Sequence, residues 1–142
     1  HDIHTPSIIR SLLQTITNKL LRIKTDQQII NSGQKYLKEF QYFQTLVEEK
    51  CTVSKSVQYY ADLMNITPKT LNNITHAIAG KSAKAFIDQV LTMQIKRLLI
   101  NTSLSIKEIA YQSGFDEPTN LLKYFKKNTT HTPEGFRSIY TS

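Results

Sequence analysis

The chain has 142 residues but only one cysteine, four glycines, four prolines and no tryptophan. A lone Cys51 excludes an internal disulfide framework and a thiolate-ligated cluster. The four histidines, His1, His4, His76 and His131, share no metal-ligand spacing, so no metal or cofactor is expected. No run approaches the roughly 18 apolar residues of a membrane helix, and no signal-peptide pattern opens the chain. The expected setting is cytoplasmic, with no membrane contact from this segment. Because it begins at His1 rather than Met, the sequence reads as an excised piece of something longer. Carboxylate pairs, activated nucleophiles and glycine-rich phosphate loops are also missing, which argues against an enzyme. Asp116 and Glu117 are adjacent, but beside Pro118 they suit a helix start better than acid–base work.

What is present is positive charge and helical periodicity. The formal charge is +7, carried unevenly: residues 1–50 hold 7 Lys/Arg against 5 Asp/Glu, and residues 51–142 hold 11 against 6. An excess of this sign favours a polyanionic partner such as nucleic acid. Apolar residues recur at three and four, and with so little Gly and Pro this predicts an all-α chain.

The first predicted helix, residues 6–24, sets Ile9, Ile16 and Ile23 seven apart with Leu13 and Leu20 beside them. This suits packing within its own domain or a short dimerising seam, which makes a homodimer through residues 6–24 a candidate. Residues 25–33 are polar and read as a connection. A second helix over 34–49 carries Tyr36, Leu37, Phe40, Phe43 and Val47 as a core stripe. Residues 1–50 are thus a helical lead-in.

From Ser56 the punctuation becomes dense. Val57, Tyr60, Ala61 and Met64 give a short helix, which Asn65 interrupts. Thr67 is a good N-cap and Pro68 fits the first helical position, where its missing N–H costs nothing. That helix runs over 68–79, burying Leu71, Ile74 and Ile78, and Gly80 stops it. Ser82 caps a longer helix over 83–100, about 27 Å of stiff rod. Its inward candidates are Phe86, Ile87, Val90, Leu91, Ile95, Leu98 and Leu99. Ser105 and Glu108 form a capping-box match opening a helix that turns Ile106, Ile109 and Ala110 inward and ends at Gly114. Pro118 starts another, burying Leu121, Leu122 or Tyr124, and Phe125. Thr132 and Pro133 begin a last short helix ending near Ile139.

Two of these stretches share one plan. SVQYYADLMNITPKTLNNITHAI and SIKEIAYQSGFDEPTNLLKYFKK both read as short helix, tight turn, Pro-initiated helix. Ala61 aligns with Ala110, Asn65 and Ile66 with Gly114 and Phe115, and Leu71 with Leu121. Each is a helix-turn-helix, whose second helix can enter a DNA major groove. The outward face of one second helix carries Lys69, Thr70, Asn72, Asn73 and His76; the other carries Thr119, Asn120, Lys123, Lys126 and Lys127. Asn and Thr can read base edges, and Lys reaches guanine or phosphate. An ordinary solvated helix face accounts for Lys126 and Lys127 equally well.

With Ile106, Ile109, Ala110, Gly114, Phe115, Pro118, Phe125, Lys126, Thr132, Pro133, Phe136 and Arg137, the sequence resembles the DNA-binding domain of AraC/XylS-type transcription regulators. Upstream, Tyr60, Ala61, Ile66, Thr67, Pro68, Leu71 and the run Gly80, Lys81, Ser82 extend the resemblance, which covers residues 51–140. It implies two helix-turn-helix subdomains, at about 54–80 and 105–128, on the rigid helix over 83–100. Recognition helices 68–79 and 118–128 would then lie in successive major grooves of double-stranded DNA. It further implies base-facing roles for Lys69, Asn72, Asn73, Thr119, Asn120 and Lys123, and places Lys81 near phosphate. Such regulators are more often activators, so bacterial RNA polymerase is an implied partner. The chain departs from the family pattern at Leu121 (usually Phe), Lys123 (usually Arg), Asn73 (where Arg is frequent) and Thr130 (usually Gly). The last substitution predicts a different loop shape. A second reading, a helical protein-interaction module, rests on the Ile9, Ile16 and Ile23 seam.

Overall fold

A computed structural model describes residues 32–141. Among these residues seven helices follow in order: α1 over residues 32–50, α2 Val57–Leu63, α3 Pro68–Ala79, α4 Ala83–Asn101, α5 Ile106–Gln112, α6 Pro118–Thr129 and α7 Pro133–Thr141. There is no strand among the described residues, as the periodicity predicts. The helix expected over 6–24 lies outside the described residues. The chain divides into two compact units, His1–Lys38 and Glu39–Ser142, and of the first only the helical residues 32–38 are described.

The second unit thus takes in residues 39–50, which periodicity alone assigns to the lead-in. The reason is aromatic packing. The Phe40 ring meets Phe86 edge-on at 5.1 Å, and Phe43 meets Tyr60 at 5.7 Å and Phe86 at 5.4 Å. Phe40, Phe43, Leu46 and Val47 are all buried, each burial worth about 1.5–3 kcal/mol. Leu37, expected in the same stripe, is 45% exposed. The expected connection over residues 25–33 is already helical at Ser32 and Gly33.

Helix α4 is the axis of the unit and packs against α3, α5, α6 and α7. Phe86, Ile87, Leu91, Ile95 and Leu99 are buried on it, while Val90 and Leu98 are only half-buried. Both ends are closed by side chains. Ser82 Oγ accepts from Ala85 N at 3.1 Å, and at the far end Arg137 Nε donates to Leu99 O at 2.9 Å. The Arg137 guanidinium therefore places positive charge on the last carbonyls of α4, where the helix dipole favours it.

The capping box at Ser105 forms as read: Glu108 N donates to Ser105 Oγ at 3.0 Å, and Ser105 N donates to Glu108 Oε1 at 3.2 Å. Two further residues expected in the core are not buried. Ile78 is 36% exposed, its depth being supplied instead by Thr75, whose hydroxyl donates to Asn72 O at 3.0 Å. Ile106 is half-buried rather than buried. Burial pushes the Cys51 thiol up, so it packs as a small neutral side chain.

Candidate nucleic-acid interface

The two short-helix–turn–helix segments repeat each other bond for bond. In the first, Ile66 N donates to Ala61 O at 3.0 Å; in the second, Phe115 N donates to Ala110 O at 2.9 Å. The residue before each donor is left-handed, Asn65 at φ 56° and Gly114 at φ 88°. Asn tolerates that region better than most side chains, and Gly enters it freely. Ala61 and Ala110 are fully buried, so the crossing helices approach without a larger side chain between them.

The second helices also match. Helices α3 and α6 each hold 12 residues and each begin at a proline. Each ends in a left-handed residue, Gly80 at φ 69° and Thr130 at φ 67°. The different loop shape expected at Thr130 is therefore absent. The threonine takes the glycine-like conformation, at a cost of about 1–2 kcal/mol for its Cβ. Thr67 Oγ1 caps α3 by accepting from Thr70 N at 3.1 Å, whereas Glu117 makes no side-chain cap to α6.

On α6, Thr119, Asn120, Lys123, Lys126 and Lys127 are all exposed and fall on one face. On α3, Lys69, Asn73 and His76 are exposed in the same manner. The ion pair present among the described residues, Lys84 with Asp88 at 3.4 Å, involves none of these lysines. Both faces thus offer lysine without an ion-pair partner among the described residues, beside short polar side chains, a chemistry suited to phosphate oxygens and base edges. Thr70 is half-buried, and its hydroxyl is engaged with that of Thr67 at 2.9 Å. Lys81 Nζ donates to Gln89 Oε1, which ties it to α4.

Asn72 stands apart from the face that the sequence assigned it. It is half-buried, and its Oδ1 accepts from Ala83 N, a fully buried residue, at 2.9 Å. With Leu71 matched to Leu121, Asn72 corresponds to Leu122, which is also half-buried. Its amide oxygen thus joins the first recognition helix to the start of α4. Nothing in the local spacing signals an 11-residue side-chain reach. Replacing Asn72 with alanine is expected to lower unfolding stability by about 1–2 kcal/mol by orphaning the Ala83 amide. An unchanged urea midpoint would mean that this bond adds nothing to stability.

The second recognition helix is anchored differently. Tyr124 OH donates to Asp88 Oδ1 on α4 at 2.7 Å. Burial, reinforced by the Asp88 carboxylate, pushes the Tyr124 phenol up, keeping it a neutral donor. By periodicity Tyr124 and Leu122 are alternatives for burial. Both are half-buried, but only a tyrosine carries the hydroxyl that pins α6.

Two helix-turn-helix units on one shared helix define the class: a tandem helix-turn-helix domain of the kind that transcription regulators carry. Residues 60–139 match the family model described as a helix-turn-helix domain. The chain is 27% identical over 93 residues to the bifunctional transcriptional activator/DNA repair enzyme AdaA of Bacillus subtilis, covering 66% of this chain and 44% of AdaA. An AraC-type DNA-binding-domain-containing regulator from Chromobacterium violaceum shares the fold at TM-score 0.64 and 19% identity, over 78% of this chain and 96% of that one. So does the DNA-binding domain of AdpA, solved with a target DNA, at TM-score 0.62 and 20% identity, over 70% and 89% of the two chains. This chain belongs to the AraC-type helix-turn-helix family. It spans less than half the length of the curated relatives it matches.

Among the described residues no helix is long and apolar enough to cross a membrane, and no group of three or more His, Cys, Asp or Glu stands ready for a metal.

Proposed function

We propose that residues 51–142 bind double-stranded DNA sequence-specifically, as the output domain of a bacterial transcription regulator, with α3 and α6 in successive major grooves. The observation that carries this reading is the repeated geometry. Two recognition helices with matching turns expose Lys69, Asn73 and His76 on one and Thr119, Asn120 and Lys123 on the other. Lys126 and Lys127, in the last turn of α6, would add phosphate contacts. The role is one of binding, without catalysis. We further infer an activator acting in the cytoplasm, with RNA polymerase as a second partner and self-association through residues 6–24.

Selection of bound sequences from random duplex DNA tests the central claim. The expected product is a bipartite motif whose halves are centred about one helical turn apart. Retention that depends on salt but yields no motif would reject sequence reading. It would leave a basic helical module that contacts polyanions through charge alone.

A further inference from the structure

Besides sharing α4, the two helix-turn-helix units are joined by a second contact. The contact is made by the short segment between α1 and α2. A Cβ placed on Gly114 would lie 1.9 Å from Thr52 O, so the turn of the second unit rests against the backbone of this segment. Three residues on, Lys55 Nζ sits 4.4 Å from the centroid of Phe115 and 5.6 Å from that of Tyr124. Those two rings are themselves in contact at 5.3 Å. Phe115 is the buried plug of the second turn, and Tyr124 lies on the second recognition helix.

The segment is held equally well on its other side. Tyr60 OH, from the first unit, donates to Ser54 O at 2.7 Å. Val53 N and Ser54 N both donate to Lys50 O at the end of α1, at 2.8 and 3.0 Å, and within the segment Ser56 N donates to Ser54 Oγ at 3.1 Å. A hydrogen-bonded loop fixed to one unit and stacked by a cation on the other acts as a strut.

We propose that Lys55 is a positioning residue that fixes the separation of α3 and α6 and thereby the half-site spacing the domain accepts. This rests on the DNA-binding reading above. When two binding elements are held at the right distance, the second half-site binds at high effective concentration, and that gain vanishes as the geometry loosens. Lys55 touches aromatic rings rather than a carboxylate, so its effect depends on a cation above those rings.

The test uses the selected bipartite site, a duplex with one half-site only, and sites with one or two base pairs inserted between the halves. The full chain is compared with Lys55→Ala and Lys55→Arg, the latter keeping a cation over the rings. Lys55→Ala is expected to lower full-site affinity by about three- to fivefold. It should leave half-site affinity unchanged and flatten the spacing penalty, while Lys55→Arg retains the parent profile. Equal losses on full and half sites would overturn the proposal, since Lys55 would then be a plain phosphate contact. An unchanged full-site advantage in Lys55→Ala would also overturn it. Failure of the DNA reading looks different, because the parent chain would then yield no bipartite site.

Discussion

Gly114→Ala is expected to destabilise the unit by roughly 3 kcal/mol, a larger loss than a methyl added at Gly33, Gly80 or Gly135 should cause. Two independent effects add. The residue sits at φ 88°, where an L side chain is strained by about 1–2 kcal/mol. Its new Cβ would also overlap the carbonyl of Thr52, with contacts of 1.9 Å to the oxygen and 2.9 Å to the carbon. Backbone cannot rotate out of the way as a side-chain tip can, so the turn and the segment must separate, at about 1–3 kcal/mol. Gly80 is the internal control. It has φ 69° but no atom within 4 Å of a new Cβ, so Gly80→Ala should show the strain alone. Urea midpoints of the two variants decide the matter. Equal losses would mean that the second turn does not rest on Thr52. Thr130, left-handed at φ 67° with a branched side chain, already shows that strain of this size is tolerated where space is open.

Removing Asn120 and Lys123 together is expected to erase one half of the bound motif while leaving the other intact. Each good contact to a base edge is worth about 1–3 kcal/mol of discrimination. The double alanine variant should therefore weaken binding to the selected site by at least about tenfold. If Lys123 reaches a phosphate rather than a base, binding should instead weaken uniformly across sequences, with a salt slope shallower by about 0.9. Both residues are exposed, so the unfolding midpoint should stay within about 0.5 kcal/mol of the parent. An intact bipartite motif in the double variant would remove α6 from the reading surface. Loss of both halves at once would indicate that α6 supplies affinity to the whole site rather than reading its own half.

Most of the helical order was legible because each boundary has a local cause. Thr67 with Pro68, and Ser105 with Glu108, mark helix starts by side-chain chemistry that operates over three residues. Gly80 and Gly114 mark stops by conformational freedom. The helices they bound came out at Pro68–Ala79 and Ile106–Gln112. Core assignment was legible where one face points to one neighbour, as for Leu71, Ile74, Leu121 and Phe125. It was less so on α4, which is contacted by α1, α3, α5, α6 and α7 and so presents no single apolar stripe. Its half-buried Val90 and Leu98 look, by periodicity, the same as its buried Leu91 and Leu99.

The candidate interface divides along a similar line. Exposure of Lys69, Asn73, Thr119, Asn120 and Lys123 follows from which helix face opposes the apolar one, and that is a local property. Asn72 lies on the border of that face, and its role turns on an amide 11 residues away. Tyr124 reaches Asp88 across 36 residues, and Arg137 reaches Leu99 across 38. Such bonds leave no trace in spacing.

The amino-acid order alone determined that the chain is helical, where the helices from α2 to α7 start and stop, and that two of its segments repeat one plan. Caps, turn residues and periodicity act within a few residues, so these features are written in the order itself. The tertiary structure decided which polar side chains bind the fold together instead of facing outward. It decided that the compact unit opens at Glu39, and that Thr52 and Lys55 brace one helix-turn-helix unit against the other. Those outcomes depend on where segments far apart in the chain meet, and that meeting is set by how all the apolar faces close around α4 together.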